Sequence, residues 1–416
     1  MNSQSVADPK RLIRYEILFC LTYFTSYMTR INYAASMTAI MADLDFTKTM
    51  AGIAVTGCFI SYGVGQVISG KLGDTFQPHR IVECGLGLTC VCNMIMPFLS
   101  SVPAMTVVWT INGFAQSMLW PPLVRMVSVR FPRQKYGGTI MRISISSSIA
   151  TIVTYLTVPV WLSVSGWRLC FIVPSALALV LLVVWLIVMR QERFPSLLEE
   201  RKAAQAASEA ADIRPWKLTD ILLLVWPFMA AMALQGLLRD GIITWMPNYI
   251  TEVYNLGASA SILSTAVLPC FSILSHIIAL AVYRKMRGEM RASRLFFAVA
   301  AISALLLYIF FGKSVIFAII MMMIITGCMH AANMIMCSYP PIYFPGSIST
   351  VSGLINACTY IGSAISAYGF AAISEQNGWS SLVLVWVFVA AAAFAVLFLG
   401  GRRWQKHVRT ITETRS

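Results

Sequence analysis

Twelve apolar runs, each long enough to cross a bilayer, recur from one end of the chain to the other. They lie near residues 16–40, 50–72, 81–101, 104–129, 137–163, 167–189, 221–250, 258–283, 294–312, 314–338, 347–372 and 379–400. A helix needs about 20 mainly apolar residues to span the hydrocarbon core. Within lipid, backbone groups must be satisfied inside a helix or a closed barrel, and unbroken runs of this length point to helices. Of the 416 residues, 58% are hydrophobic and 12% charged, about half the charged share of an ordinary soluble chain. The expected fold class is an all-α membrane protein with twelve transmembrane helices.

The first run is too long for a signal-peptide core and has no convincing cleavage site, so it is expected to be retained. All ten cysteines fall inside apolar runs, with no CxxC pair and no histidine set beside them. They read as small buried hydrophobes, not as a disulfide framework or a metal site. No nucleotide loop is present, and no nucleophile has an evident base partner. An enzyme is not expected, nor is a cofactor.

The net charge of +14 reports topology. The loops assigned outside hold Lys48, Arg168 and Lys313, and four arginines lie within the runs, which leaves 24 of the 31 Lys and Arg residues on the other face. That is the positive-inside pattern with both termini cytoplasmic. The basic balance therefore suits anionic headgroups, and no nucleic-acid partner is expected.

The segment Arg190 to Leu218, rich in Ala, Glu and Lys, divides the runs into six and six. The expected domains are residues 1–189, a cytoplasmic linker over 190–218, and residues 219–416 with a cytoplasmic tail. Two pseudo-symmetric six-helix bundles around a midplane site are the plan of a major facilitator transporter. The loop "GKLGDTFQPHR" adds to this, because Gly70, Leu72, Asp74 and Arg80 resemble that superfamily's G-x-L-x-D loop motif. Gly70 would permit close helix approach, and Asp74 could accept bonds from helix N-termini in one gating state. The loop after the eighth run, "VYRKMRGEM", lacks the aspartate.

Four arginines lie within the runs. Arg125 and Arg142 stand near cytoplasmic ends and are expected to snorkel to headgroups. Arg30 is 16 residues past Arg14 and 13 before Asp43, while Arg239 is 19 past Asp220 and 13 before Glu252. At about 1.5 Å per residue, both lie well inside a core roughly 30 Å thick. They are 209 residues apart against a half-length of 208, so they occupy equivalent places in the two halves. A midplane arginine costs at least about 2.5–3.5 kcal/mol on insertion scales. Either each is a structural arginine paired with helix carbonyls, or the two face one cavity.

Helical spacing supplies companions. Tyr23, Tyr27 and Arg30 share a face at i, i+4 and i+7, and Gln235 and Arg239 are i and i+4. Ser144, Ser148, Thr151 and Tyr155 form another stripe, as do Asn112 with Gln116, His330 with Asn333, and Asn356, Tyr360 and Ser363. Taken singly, each stripe fits ordinary interhelical bonding equally well. Two guanidinium forks suit carboxylate or phosphate oxygens, and together they suit a dianion. Repulsion between two unfilled cations would resist closure, so an obligatory exchanger follows as an expectation.

The chain resembles the organophosphate:phosphate antiporters of the major facilitator superfamily. The matching stretches are "YMTRINYAASM" from Tyr27, "SYGVGQVISGKLGD" from Ser61, "NGFAQSMLWPP" from Asn112, "LRDGIITWMPNYITEVY" from Leu238, and Gly353, Tyr360 and Gly362. The resemblance implies that Arg30 and Arg239 hold phosphate, with Tyr23 as an aromatic partner, and that the location is a bacterial inner membrane. A monomer is expected, with a small anionic solute and the bilayer as its partners. Where glycerol-phosphate members carry a histidine, this chain has Ser147, and where they carry a cavity lysine it has Gln66. Asp240 stands where those members have an aromatic residue. Since adjacent helix positions point about 100° apart, Asp240 need not neutralise Arg239. It could bond a neighbouring helix or serve as a proton carrier in a carboxylate symporter. His276 and His330 read, taken singly, as interhelical partners, though His330 lies on a plausible cavity helix and is kept as a substrate-binding candidate. A transporter-like sensor of sugar phosphate is the third reading.

Overall fold

Lipid leaves a backbone few ways to satisfy itself, and this chain uses helices throughout. The computed structural model describes residues 9–46, 48–190, 216–255, 267–286 and 288–413, and no strand occurs among them. In chain order the helices are α1 (Pro9–Leu44), α2 (Lys48–Thr75), α3 (Pro78–Ile95), α4 (Val102–Ser117), α5 (Trp120–Arg130), α6 (Arg133–Ser165) and α7 (Leu169–Arg190). After the segment 191–215, where most of the expected linker lies outside the described residues, come α8 (Leu218–Tyr254), α9 (Val267–Met286), α10 (Glu289–Ile309), α11 (Val315–Ser338) and α12 (Ile348–Glu413).

Ten stretches among the described residues are long and apolar enough to cross a membrane. Two of the twelve expected spans fall outside that set for physical reasons. α1 carries Arg30 and a face of Thr, Ser and Asn through its middle. The expected fourth span is not continuous: it breaks at Met118 and Leu119, ahead of Trp120-Pro121-Pro122. Two prolines in succession withdraw two backbone donors, so the helix stops and restarts with both at its first turn, where no donor is needed. Conversely, the eleventh and twelfth spans run on as α12, broken at Gly378, whose φ of 78° leaves the helical region.

The chain forms two compact units. One comprises Met1–Ala206 with Pro345–Gly353, and the other Ala207–Phe344 with Leu354–Ser416. In the first, α1 packs against α6 and α7, α2 runs along α4, and α3 lies against α7. Its core includes Tyr33, Trp109, Trp167 and Phe171, with the Tyr33 and Trp109 ring centroids 5.2 Å apart and the Trp109 and Phe171 centroids 5.7 Å apart. In the second, α11 packs against α8, α9 and α10.

Both units tie down their first helix in the same way. Gly166 ends α6 with a φ of 71°, and the next residue, Trp167, donates its indole N–H to Asp43 at the end of α1 (2.8 Å). Arg168 bonds the same carboxylate at 3.0 Å, and these donors hold Asp43 below the usual carboxylate range. Gly378 in α12 is likewise followed by Trp379, which donates to Glu252 near the end of α8 (2.7 Å). A glycine supplies the positive φ that turns the chain sharply and aims the indole back.

Candidate functional site

The rotation of α1 is set by its polar face. Asn32 donates to Asn93 of α3 (2.8 Å) and to the Cys170 carbonyl of α7 (2.9 Å), while Asn112 of α4 donates to the Thr29 carbonyl (3.1 Å). Gln116 of α4 donates to the Thr29 hydroxyl (2.9 Å) and accepts from Ser26. Buried amides bonded this way hold a helix in one register, since turning it would strand them all. Arg30, one residue past Thr29, is thereby turned to a different face.

On that face Arg30 lies among rings. Its guanidinium carbon is 4.2 Å from the centre of Tyr27 and 5.0 Å from that of Tyr62 on α2. Tyr27 meets Tyr23 edge-on at 5.2 Å, and Tyr23 packs against Trp120 at 4.9 Å. Rings offer a cation their electron-rich faces. Tyr62 and Trp120 are absent from the sequence-level candidates. Their helices are not α1, so no spacing along one helix could have revealed them.

Arg239 of α8 is held differently. Its Nε donates to Asp240 Oδ1 (2.7 Å) and its Nη2 to Oδ2 (3.0 Å), a two-pronged pair. Oδ2 also accepts from the Ser363 hydroxyl of α12. The expectation that Asp240 need not neutralise Arg239 is therefore overturned. Backbone directions 100° apart do not prevent a long, flexible arginine from curling sideways onto its neighbour. With one of the two cations balanced, repulsion between unfilled arginines no longer argues for obligatory exchange.

The remaining candidates divide by accessibility. Tyr23, Tyr27, Arg30, Arg239, His330, Asn333 and Tyr360 are partly exposed, and Tyr155 is exposed. Gln66, Gln116, Ser147, Gln235 and Asn356 are buried. Gln235 donates to the Met329 carbonyl (3.1 Å), tying α8 to α11, and Ser147 bonds back to Ser144 of its own helix (2.7 Å). Asn356 receives a long bond from the Cys337 thiol (3.5 Å). Gln66 is buried where α2 passes Gly353 so closely that a side chain there would strike the Gln66 carbonyl. His276 bonds its own helix at the Ser272 carbonyl (2.6 Å), and its ring lies 6.0 Å from that of His330.

The loop candidates form a second cluster. Asp74 accepts from the backbone N–H groups of Ser349 (2.9 Å) and Thr350 (2.6 Å) in the first turn of α12. Gly70 permits the approach: a Cβ there would lie 2.8 Å from the Ser349 carbonyl oxygen. Arg80 is exposed. Arg125 is buried and donates to the Gly73 carbonyl, so the expected snorkelling fails; the guanidinium caps the end of α2 beside Asp74. Arg142 is half exposed and pairs with Glu16. A carboxylate at a helix N-terminus contributes about 1–2 kcal/mol in a partly buried setting. Asp74→Asn is expected to speed hydrogen exchange at the Ser349 and Thr350 amides by roughly 5- to 30-fold. An unchanged rate would separate the pairing from the order of this turn.

Known proteins agree with this architecture. Over 161 residues, 39% of the chain, it is 27% identical to the probable hexose phosphate transport protein of Chlamydia trachomatis, a match spanning only 35% of that relative. Over 381 residues, 86% of the chain and 82% of the relative, it is 22% identical to the phosphoglycerate transporter protein of Salmonella typhimurium. The crystal structure of the major facilitator transporter FucP in the outward conformation superposes with a TM-score of 0.73 at 14% identity, covering 95% of this chain and 99% of that one. These relatives and neighbours are transporters, not enzymes. The profile of the Major Facilitator Superfamily matches residues 19–367, and the chain belongs to that family as a multi-pass membrane protein.

Proposed function

We propose that this transporter carries a small organic phosphoester by alternating access, with inorganic phosphate as the exchanged ion and Arg30 and Arg239 as the anion-holding residues. The observation that carries the reading is the Arg239 fork. Nε and Nη2 already engage two oxygens of one acid at 2.7 and 3.0 Å, the arrangement a phosphoryl group would require. Arg30 brings a second guanidinium backed by tyrosine rings. Relatives described as hexose phosphate and phosphoglycerate transporters support the same substrate class. The charge distribution favours both termini on the cytoplasmic side, and a monomer suffices for the mechanism.

The test is exchange in reconstituted vesicles. Vesicles loaded with phosphate should take up labelled phosphate, and external phosphoesters should compete with it. No phosphate exchange, with none of a panel of phosphoesters competing, would end this reading.

A second reading draws on Asp240, an acid deep in a span that already balances Arg239. In that reading Asp240 takes up the proton and releases Arg239 to hold a carboxylate. Uptake that requires a pH gradient and fails in Asp240→Asn would favour it.

A further inference from the structure

We propose that Asp240 is a built-in stand-in for the transported anion: it fills the Arg239 fork when no solute is present and must be displaced by one. Asp240 can compete only if Arg239 binds a solute anion, so this assignment rests on the anion-carrier function proposed above.

Three observations carry it. First, Asp240 occupies the Nε and Nη2 edge of the guanidinium with both oxygens, leaving that edge no room for a second acid. Second, the pair is neither sealed nor fully solvated. The Arg239 side chain is 14% exposed and that of Asp240 28%, so a solute can approach while the pairing keeps its strength.

Third, Asp240 has a holder other than arginine. The Ser363 hydroxyl donates to its Oδ2, sharing its single proton with the Thr359 carbonyl of its own helix (2.9 Å). When the guanidinium turns to a solute, the Ser363 proton can commit wholly to the carboxylate. The two helices already cross in near contact, so the exchange needs no movement of the backbone. A Cβ at Gly236 would strike the Thr359 carbonyl, one at Gly362 the Ala233 carbonyl, and one at Gly241 the Phe370 ring. The exchange of partners is therefore a matter of side chains on a fixed frame.

A stand-in lowers apparent affinity by the fraction of time the fork is free; a fork free one tenth of the time costs about tenfold. It also balances Arg239 in the unloaded carrier, and so sets how readily the protein can return without cargo.

The test labels Arg239 with phenylglyoxal, an arginine-selective dicarbonyl, in the full-length protein in lipid vesicles, read by mass spectrometry of the peptide. Asp240→Asn should raise the labelling rate about tenfold, and millimolar inorganic phosphate should protect the freed side chain. Ser363→Ala should do the opposite, slowing labelling, because the carboxylate loses its alternative donor and rests more firmly on arginine. A purely structural role for Asp240 gives no such opposition of sign. Labelling unchanged or slower in an Asp240→Asn protein of unaltered melting temperature overturns the proposal. If that variant does not fold, Ser363→Ala decides alone, and equal or faster labelling overturns it. Faster labelling in Asp240→Asn without protection by phosphate leaves the stand-in intact and removes phosphate as the solute.

Discussion

Replacing Arg239 with lysine is expected to cut uptake of substrate at low concentration roughly a hundredfold while the protein still folds. The substitution keeps the positive charge, so the long-range attraction for an anion and the partner of Asp240 are both retained. What disappears is the fork. Lysine offers one ammonium, and its three donors cannot reproduce the two parallel bonds now made by Nε and Nη2. Losing one charge-assisted bond costs about 1.5–3 kcal/mol, and the upper end corresponds to roughly a hundredfold. Arg239→Ala would be a poorer probe, since it strands a partly buried carboxylate and confounds transport with stability. Initial-rate uptake in vesicles, normalised to folded protein, checks the expectation. A loss of less than about threefold would show that charge alone is used there.

The largest loss of stability should come from Gly362→Val. A Cβ at Gly362 would collide with the carbonyl oxygen of Ala233, and further atoms would crowd the backbone of Leu237. Backbone cannot step aside as a flexible side chain can, so α8 and α12 must separate. Overpacking of this kind costs about 3 kcal/mol or more. For a unit of this size that corresponds to a fall in melting temperature of roughly 6–12 °C. Gly87→Ala is the control: its only near neighbour is a Leu182 methyl at 3.7 Å, an ordinary contact. There the gain in helix propensity should leave stability level or slightly higher. Equal melting temperatures for the two variants would mean that the α8–α12 crossing is not close-packed.

Much of this was written openly in the sequence. The all-helical class and the order of the spans follow from apolar run lengths, because lipid permits so few backbone solutions. Arg30 and Arg239 announced themselves because a charge within a span is costly, and their matched positions could be read by counting. The break before Trp120 was signalled by two prolines but hidden by the hydropathy of the surrounding run. Periodicity failed for Gln116 and Gln235, which are buried. It tells which residues share a face, not whether that face meets solvent or another helix. Tyr62 beside Arg30 and Ser363 beside Asp240 depend on which helices are neighbours, a fact that no single helix encodes. The Arg239–Asp240 pair was missed for another reason: direction was judged from Cβ positions, and a guanidinium sits four bonds beyond.

The indole ties at Asp43 and Glu252 make each first helix a measuring rod anchored at one end. From either anchored carboxylate, the arginine stands 13 residues back, about 20 Å along the axis. Drift in length before Arg30 or Arg239 leaves its level unaltered. One residue gained or lost between arginine and anchor would turn the guanidinium through about 100° and shift it by about 1.5 Å. The level of each arginine is thus set by a count of residues from its anchor.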